Sequence, residues 1–241
     1  MTREVDWGRL PGPLIPFGWR DFARKYRLML RYEPSRLRVA GNLLARLVIH
    51  AVGQVGWALD DCVARRWRDA ELRGPVFILG HQRSGTTLLH RILAGDARCF
   101  RALTLQEMLF PAVSLQRLFA AVGRWDDRRG GGLHRRFDRL QDRLFGPLED
   151  IHHVRFNEIE EDEFALWTVF ASAMCVNDAP SSTERRDMDR LRNFDDWAPA
   201  RQARVLGWYR ACLLKKAYRE PGVGGRSEER RVGKECRSRW S

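Results

Sequence analysis

Residues 76–90 read Val76-Phe77-Ile78-Leu79-Gly80-His81-Gln82-Arg83-Ser84-Gly85-Thr86-Thr87-Leu88-Leu89-His90. The run Val76 to Leu79 is apolar, rich in β-formers and preceded by Gly74-Pro75, the pattern of a buried parallel strand. A glycine-punctuated turn follows, and Thr86 to Leu93 has the character of a helix start. Strand, loop and helix in that order form an anion site. The helix start presents N–H groups without intrahelical acceptors and a partial positive charge, and glycines let several N–H groups converge on the oxyanions. Gly80 and Gly85 stand where that curl is needed.

The ATP-binding loop G-x-x-x-x-G-K-[ST] is close, but Thr86 occupies its lysine position, which removes the central cation of a kinase or NTPase. The only full positive charge in the loop is Arg83, and Ser84, Thr86 and Thr87 supply hydroxyls. The candidate anion-binding set is therefore Gly80, His81, Gln82, Arg83, Ser84, Gly85, Thr86 and Thr87. That arrangement suits a phosphosulfate and does not call for a metal ion.

Outward from the loop, 241 residues with 44% hydrophobic content can bury a sizeable core. A net charge of +12 suits an anionic cofactor, a membrane surface or nucleic acid, and does not choose among them. The basic residues are nearly all arginine, with lysine only at Lys25, Lys215, Lys216 and Lys234, which reads as the codon bias of a GC-rich genome. Cys62, Cys99, Cys175, Cys212 and Cys236 show neither C-x-x-C pairing nor zinc spacing, so free thiols and a cytoplasmic location are expected. Prolines and charges within Met1 to Phe17 leave no signal-peptide core. The longest uncharged apolar stretch, the 13 residues Leu47 to Leu59, is shorter than the roughly 20 needed to span a bilayer.

Three regions are expected: an N-terminal helical region over 1–73, an α/β region over 74–225 and a distinct tail over 226–241. Helices are expected at Trp19 to Tyr32 and Leu37 to Trp67, where Leu43, Leu47, Ala51, Val55 and Leu59 form a stripe that belongs in a core, with peripheral membrane contact as the alternative. Further helices are expected at Leu105 to Val122, Leu133 to Phe145, Asp162 to Val176 and Pro199 to Tyr218, and a second strand at Phe100 to Leu103. Gly130-Gly131-Gly132 reads as a loop. The acids Glu158, Glu160, Glu161, Asp162 and Glu163 precede a helical pattern, where they favour the positive end of the helix dipole; acceptor binding is a second reading for them. The tail Arg226 to Ser241 has no apolar period. It matches the translation of a sequencing adapter beginning AGATCGGAAGAGC, so it is set aside from fold reasoning, and three of the net positive charges go with it.

The segment Val76 to His90 resembles the 5'-phosphosulfate-binding segment of sulfotransferases, and its Arg-Ser-Gly-Thr-Thr core is typical of the Golgi, tyrosylprotein and bacterial branches. Ala94-Gly95-Asp96, Phe100-Arg101-Ala102, Glu107, Pro111 and Glu160-Glu161-Asp162 look like the large bacterial group, so that the likeness runs from Pro75 to Tyr218. The resemblance implies a P-loop-like α/β fold, a parallel sheet with flanking helices, helix-rich and incomplete in this chain. It implies 3'-phosphoadenosine 5'-phosphosulfate (PAPS) as donor and a small-molecule, lipid or carbohydrate acceptor with a hydroxyl or amine. Nucleic acid is not an expected partner. Arg83 would stabilise developing charge, and Glu107 would be the general base, by analogy with a glutamate at a similar distance after the loop in the tyrosylprotein branch. His81, His152 and His153 are alternative bases. The family's Arg and Ser for the 3'-phosphate have no match before Arg226, which makes a C-terminally truncated, inactive fragment the expectation. A P-loop kinase or NTPase and a non-enzymatic basic binding protein are the competing classes.

Overall fold

The computed structural model describes residues 15–72, 76–78, 80, 84–96, 99–146, 154–172, 174–177 and 193–220. Two helices open it, α1 (Trp19–Tyr32) and α2 (Arg36–Val63), and a 3₁₀ turn, Arg65–Asp69, follows. Phe22, Tyr26 and Met29 recur at helical spacing along α1 and are buried. Ser35 caps α2 by accepting the Arg38 N–H at 3.3 Å.

After α3 (Thr86–Gly95) come α4 (Leu105–Leu109), α5 (Val113–Asp127) and α6 (Gly132–Phe145). The expected single helix Leu105 to Val122 is divided at Phe110-Pro111-Ala112, because a proline inside a helix removes a hydrogen bond and disfavours helical geometry before it. The buried Asp126 carboxylate accepts the N–H groups of Leu133 and His134 at 2.9 and 2.8 Å, capping α6 across the turn.

The expected helix Asp162 to Val176 is likewise two pieces, α7 (Glu163–Thr168) and α8 (Met174–Asn177). Phe170 adopts φ 59°, and the N–H groups of Phe170 and Ala171 return to the carbonyls of Trp167 and Leu166 at 3.2 and 2.9 Å. That is a Schellman ending with phenylalanine in the left-handed position usually held by glycine. Burial of the Phe170 ring against Phe17 and Phe22 offsets the strain. A 3₁₀ turn at Phe194–Asp196 leads into α9 (Pro199–Arg219), with proline at its start.

The core lies among α1, α2, α7, α9 and the Arg65–Asp69 turn, and includes Trp57, Trp67, Val169, Phe170, Trp208 and Leu214. At its centre Lys215 of α9 pairs with Asp60 of α2 at 2.8 Å, both side chains fully buried. Asp60 also accepts the N–H groups of Val113 and Ser114 at 2.7 and 2.8 Å, so one carboxylate ties α2, the start of α5 and α9. The Lys215 ammonium stands 3.4 Å from the centre of the Trp57 ring, a cation–π contact in a buried site. Burial pushes its pKa down against the opposing pull of Asp60. Arg46 is buried in the same way, donating to the Trp167 carbonyl at 2.9 Å and stacking on the Trp167 ring.

Other expectations are corrected here. Val76 to Ile78 forms no strand, Val76 and Phe77 are exposed, and Leu79 lies outside the described residues. Phe100 to Leu103 is not a strand either; Thr104 and Ile159 form an isolated antiparallel bridge. A parallel strand exists through its neighbours, and among the described residues no other strand stands beside these. The parallel sheet is thus not seen there, and the described architecture is helical. Cys62, Cys175 and Cys212 are free as expected. By length and composition α2 as a whole could cross a membrane, although its uncharged core is short; Arg46 and Asp60 instead engage protein partners, Trp167 and Lys215.

Candidate functional site

Ser84 and Gly85 lead directly into α3, with Gly85 at the N-cap in the left-handed region at φ 84°. A Cβ added to Gly80 would lie 2.6 Å from Thr86 Cγ2 and 2.7 Å from Ser84 Oγ, so the backbone at Gly80 folds against both hydroxyl side chains. Thr86 and Thr87 are the first two residues of α3, and the helical ladder begins only with the Leu89 N–H to the Gly85 carbonyl at 3.0 Å. The first-turn N–H groups therefore face out of the helix start beside a tight glycine cradle. His81, Gln82 and Arg83 lie outside the described residues, as do His152 and His153.

The segment 158–163 is bound to this helix. Arg91 of α3 donates to Glu160 Oε1 at 2.9 Å and also approaches Glu158, and the Thr87 hydroxyl donates to Glu161 Oε1 at 2.5 Å. Asp162 accepts the Tyr209 hydroxyl, and Glu163 accepts the Ser172 hydroxyl at 2.6 Å. Each acid of the run thus has a partner, with Arg91 shared by Glu158 and Glu160, rather than serving as a diffuse charge at the start of α7. The same segment reaches α4: the Leu105 and Gln106 N–H groups donate to the carbonyls of Glu158 and Phe156 at 3.0 and 2.8 Å.

Glu107 sits in α4, buried, in a reciprocal capping box with Thr104. Its carboxylate accepts the Lys216 ammonium at 2.9 and 3.0 Å and the Arg219 guanidinium. Burial would raise its pKa, but the charges of Lys216 and Arg219 and the bonds from Arg219 and the Thr104 N–H outweigh that and hold it below its ordinary value. Glu107 thus clasps α4 to the end of α9. No contact joins it to the described loop residues. Lys216 and Arg219 were not singled out in the sequence, although their three-residue spacing places both on one face of α9.

A carboxylate whose folded pKa is depressed contributes stability above its unfolded pKa, and that contribution is lost as pH falls through the folded value. Glu107→Gln is accordingly expected to lower the urea midpoint at pH 7 and to flatten its decline on acidification below the ordinary carboxylate range. Urea titrations of both proteins from neutral pH to pH 3 measure this; parallel pH profiles would show that the clasp contributes nothing.

Residues 75–189 match the model of a sulfotransferase family. No curated protein and no solved structure matches the chain.

Proposed function

We propose, from the match of residues 75–189 to the model of a sulfotransferase family, that this chain moves a sulfuryl group from PAPS to a hydroxyl or amine of a small-molecule, lipid or carbohydrate acceptor. The observation that carries the reading is the cradle in which Gly80 abuts Ser84 and Thr86 at the glycine-capped start of α3. It suits a 5'-phosphosulfate: Ser84, Thr86 and Thr87 carry hydroxyls beside the glycine-capped helix start, which supplies N–H groups.

PAPS supplies an activated sulfuryl group and a phosphate leaving group. The acceptor's lone pair forms the new bond to sulfur, the bond from sulfur to the bridging oxygen breaks, and the desulfated nucleotide leaves with that electron pair. The protein's part is positioning and charge stabilisation. Arg83 neutralises charge growing on the bridging and sulfuryl oxygens, and the N–H groups of the α3 start with Ser84, Thr86 and Thr87 hold the 5'-phosphate. Glu107 is the proposed acceptor of the proton released by the nucleophile. Its cation partners keep it ionised while lowering its basicity, so a productive complex requires the acceptor to draw the carboxylate away from Lys216 or Arg219.

Equilibrium binding of PAPS, ATP and duplex DNA at moderate salt tests the reading. PAPS is expected to bind most tightly, and Arg83→Ala to weaken it about tenfold or more by removing a charge-assisted hydrogen bond. Tighter binding of ATP would favour a nucleotide kinase or NTPase, and tighter binding of DNA a basic binding protein; either result, or an unchanged PAPS affinity in Arg83→Ala, overturns the assignment.

A further inference from the structure

Thr87 has one hydroxyl proton, and it is donated to Glu161 at 2.5 Å. Thr87 is the second residue of α3, on the turn whose N–H groups would face the donor's 5'-phosphate. A carboxylate here is unexpected on electrostatic grounds, because it stands beside the place where an anion must bind. It is also held there by its neighbours. Glu160 is fully buried and bonded to Arg91 of the same α3, Asp162 is bonded to Tyr209 of α9, and the Glu161 carbonyl accepts the Phe164 N–H at 3.0 Å as α7 begins. Pinned on both sides, the Glu161 backbone is held beside the start of α3.

Resting on the reading of this loop as the donor site, we propose that Glu161 discriminates between PAPS and its desulfated product, adenosine 3',5'-bisphosphate, by repelling the product's 5'-phosphate and competing with it for the Thr87 hydroxyl. The two ligands differ at that phosphorus. In PAPS the phosphate carries one negative charge of its own and the second lies farther out, on the sulfuryl group. In the product the same phosphate is a monoester whose second ionisation lies near pH 6, so at neutral pH it approaches a dianion next to Glu161. The repulsion is greater for the product, and the dianion also has the stronger claim on the Thr87 proton that Glu161 already holds. Glu161 therefore weakens both ligands and weakens the product more, which favours its release after transfer.

Dissociation constants of PAPS and of adenosine 3',5'-bisphosphate, measured at pH 7.5 for the unaltered chain, Glu161→Gln and Glu161→Ala, test the inference. Glutamine keeps an oxygen to accept from Thr87 and removes the charge; alanine removes both. Glu161→Gln is expected to tighten the bisphosphate about tenfold and PAPS distinctly less, from the loss of one like charge at short range. Glu161→Ala should extend both gains, because the Thr87 proton becomes available. Near-UV circular dichroism confirms that each variant is folded. A ratio of the two affinities that stays constant across all three proteins overturns this inference while leaving the donor site intact. Failure of the unaltered chain to bind either ligand overturns the donor site itself, and the inference with it.

Discussion

Asp60→Ala is expected to destabilise the protein by about 3–5 kcal/mol, the cost of removing one partner from a buried ion pair. The Lys215 ammonium would remain buried against Trp57 and Trp67 with no carboxylate, and the Val113 and Ser114 N–H groups at the start of α5 would lose their acceptor. Both losses act at the junction of α2, α5 and α9, so the native state as a whole carries the penalty. Lys215→Met is the instructive control: it removes the buried cation, fills similar volume, and leaves Asp60 still capping α5 through two hydrogen bonds. Urea unfolding should show a fall in midpoint for both variants, larger for Asp60→Ala, because in Lys215→Met the buried carboxylate keeps the Val113 and Ser114 N–H groups. Equal and small effects would mean that the site is wetter than its burial implies.

How much of this was legible beforehand depends on the range of the interaction. Helices set by local periodicity were readable: α1 and α6 fall within a residue of the spans expected from their apolar spacing, and α9 runs to Arg219 where Tyr218 was expected. Where a local rule competes with periodicity, periodicity lost. Pro111 divides α4 from α5, and the left-handed Phe170 divides α7 from α8, because a stripe of apolar residues registers which face is buried and not whether the backbone continues. Val76 to Leu79 shows the opposite limit: its composition suits a strand, but a strand is a property of pairs, and no pairing partner is visible among the described residues. The loop's glycine spacing was legible since each glycine answers a steric need within a few residues. The pairs Lys215–Asp60, Lys216–Glu107 and Thr87–Glu161 were not, because nothing in a single sequence indicates which of many opposite charges or hydroxyls the fold brings together.

Gly80→Ala is expected to weaken PAPS binding by about a hundredfold while barely moving the melting temperature, and the dissociation follows from what the new methyl group would meet. Its two close neighbours, Thr86 Cγ2 at 2.6 Å and Ser84 Oγ at 2.7 Å, are side-chain atoms outside the hydrophobic core, on the half-buried Thr86 and the exposed Ser84. Turning them aside costs the fold little. It costs the loop its geometry, since Ser84 and Thr86 are two of the proposed donors to the 5'-phosphate, and two charge-assisted hydrogen bonds at about 1.5–3 kcal/mol each correspond to a hundredfold or more in affinity. Gly85→Ala isolates the other requirement. No atom lies within 4 Å of a Cβ there, but φ is 84°, so alanine would carry about 1–2 kcal/mol of left-handed strain at the α3 cap and lower stability along with affinity. Titration calorimetry with PAPS and thermal melts of the two variants separate crowding from strain. Unaltered PAPS affinity in Gly80→Ala would show that the cradle between Gly80, Ser84 and Thr86 does not hold the donor.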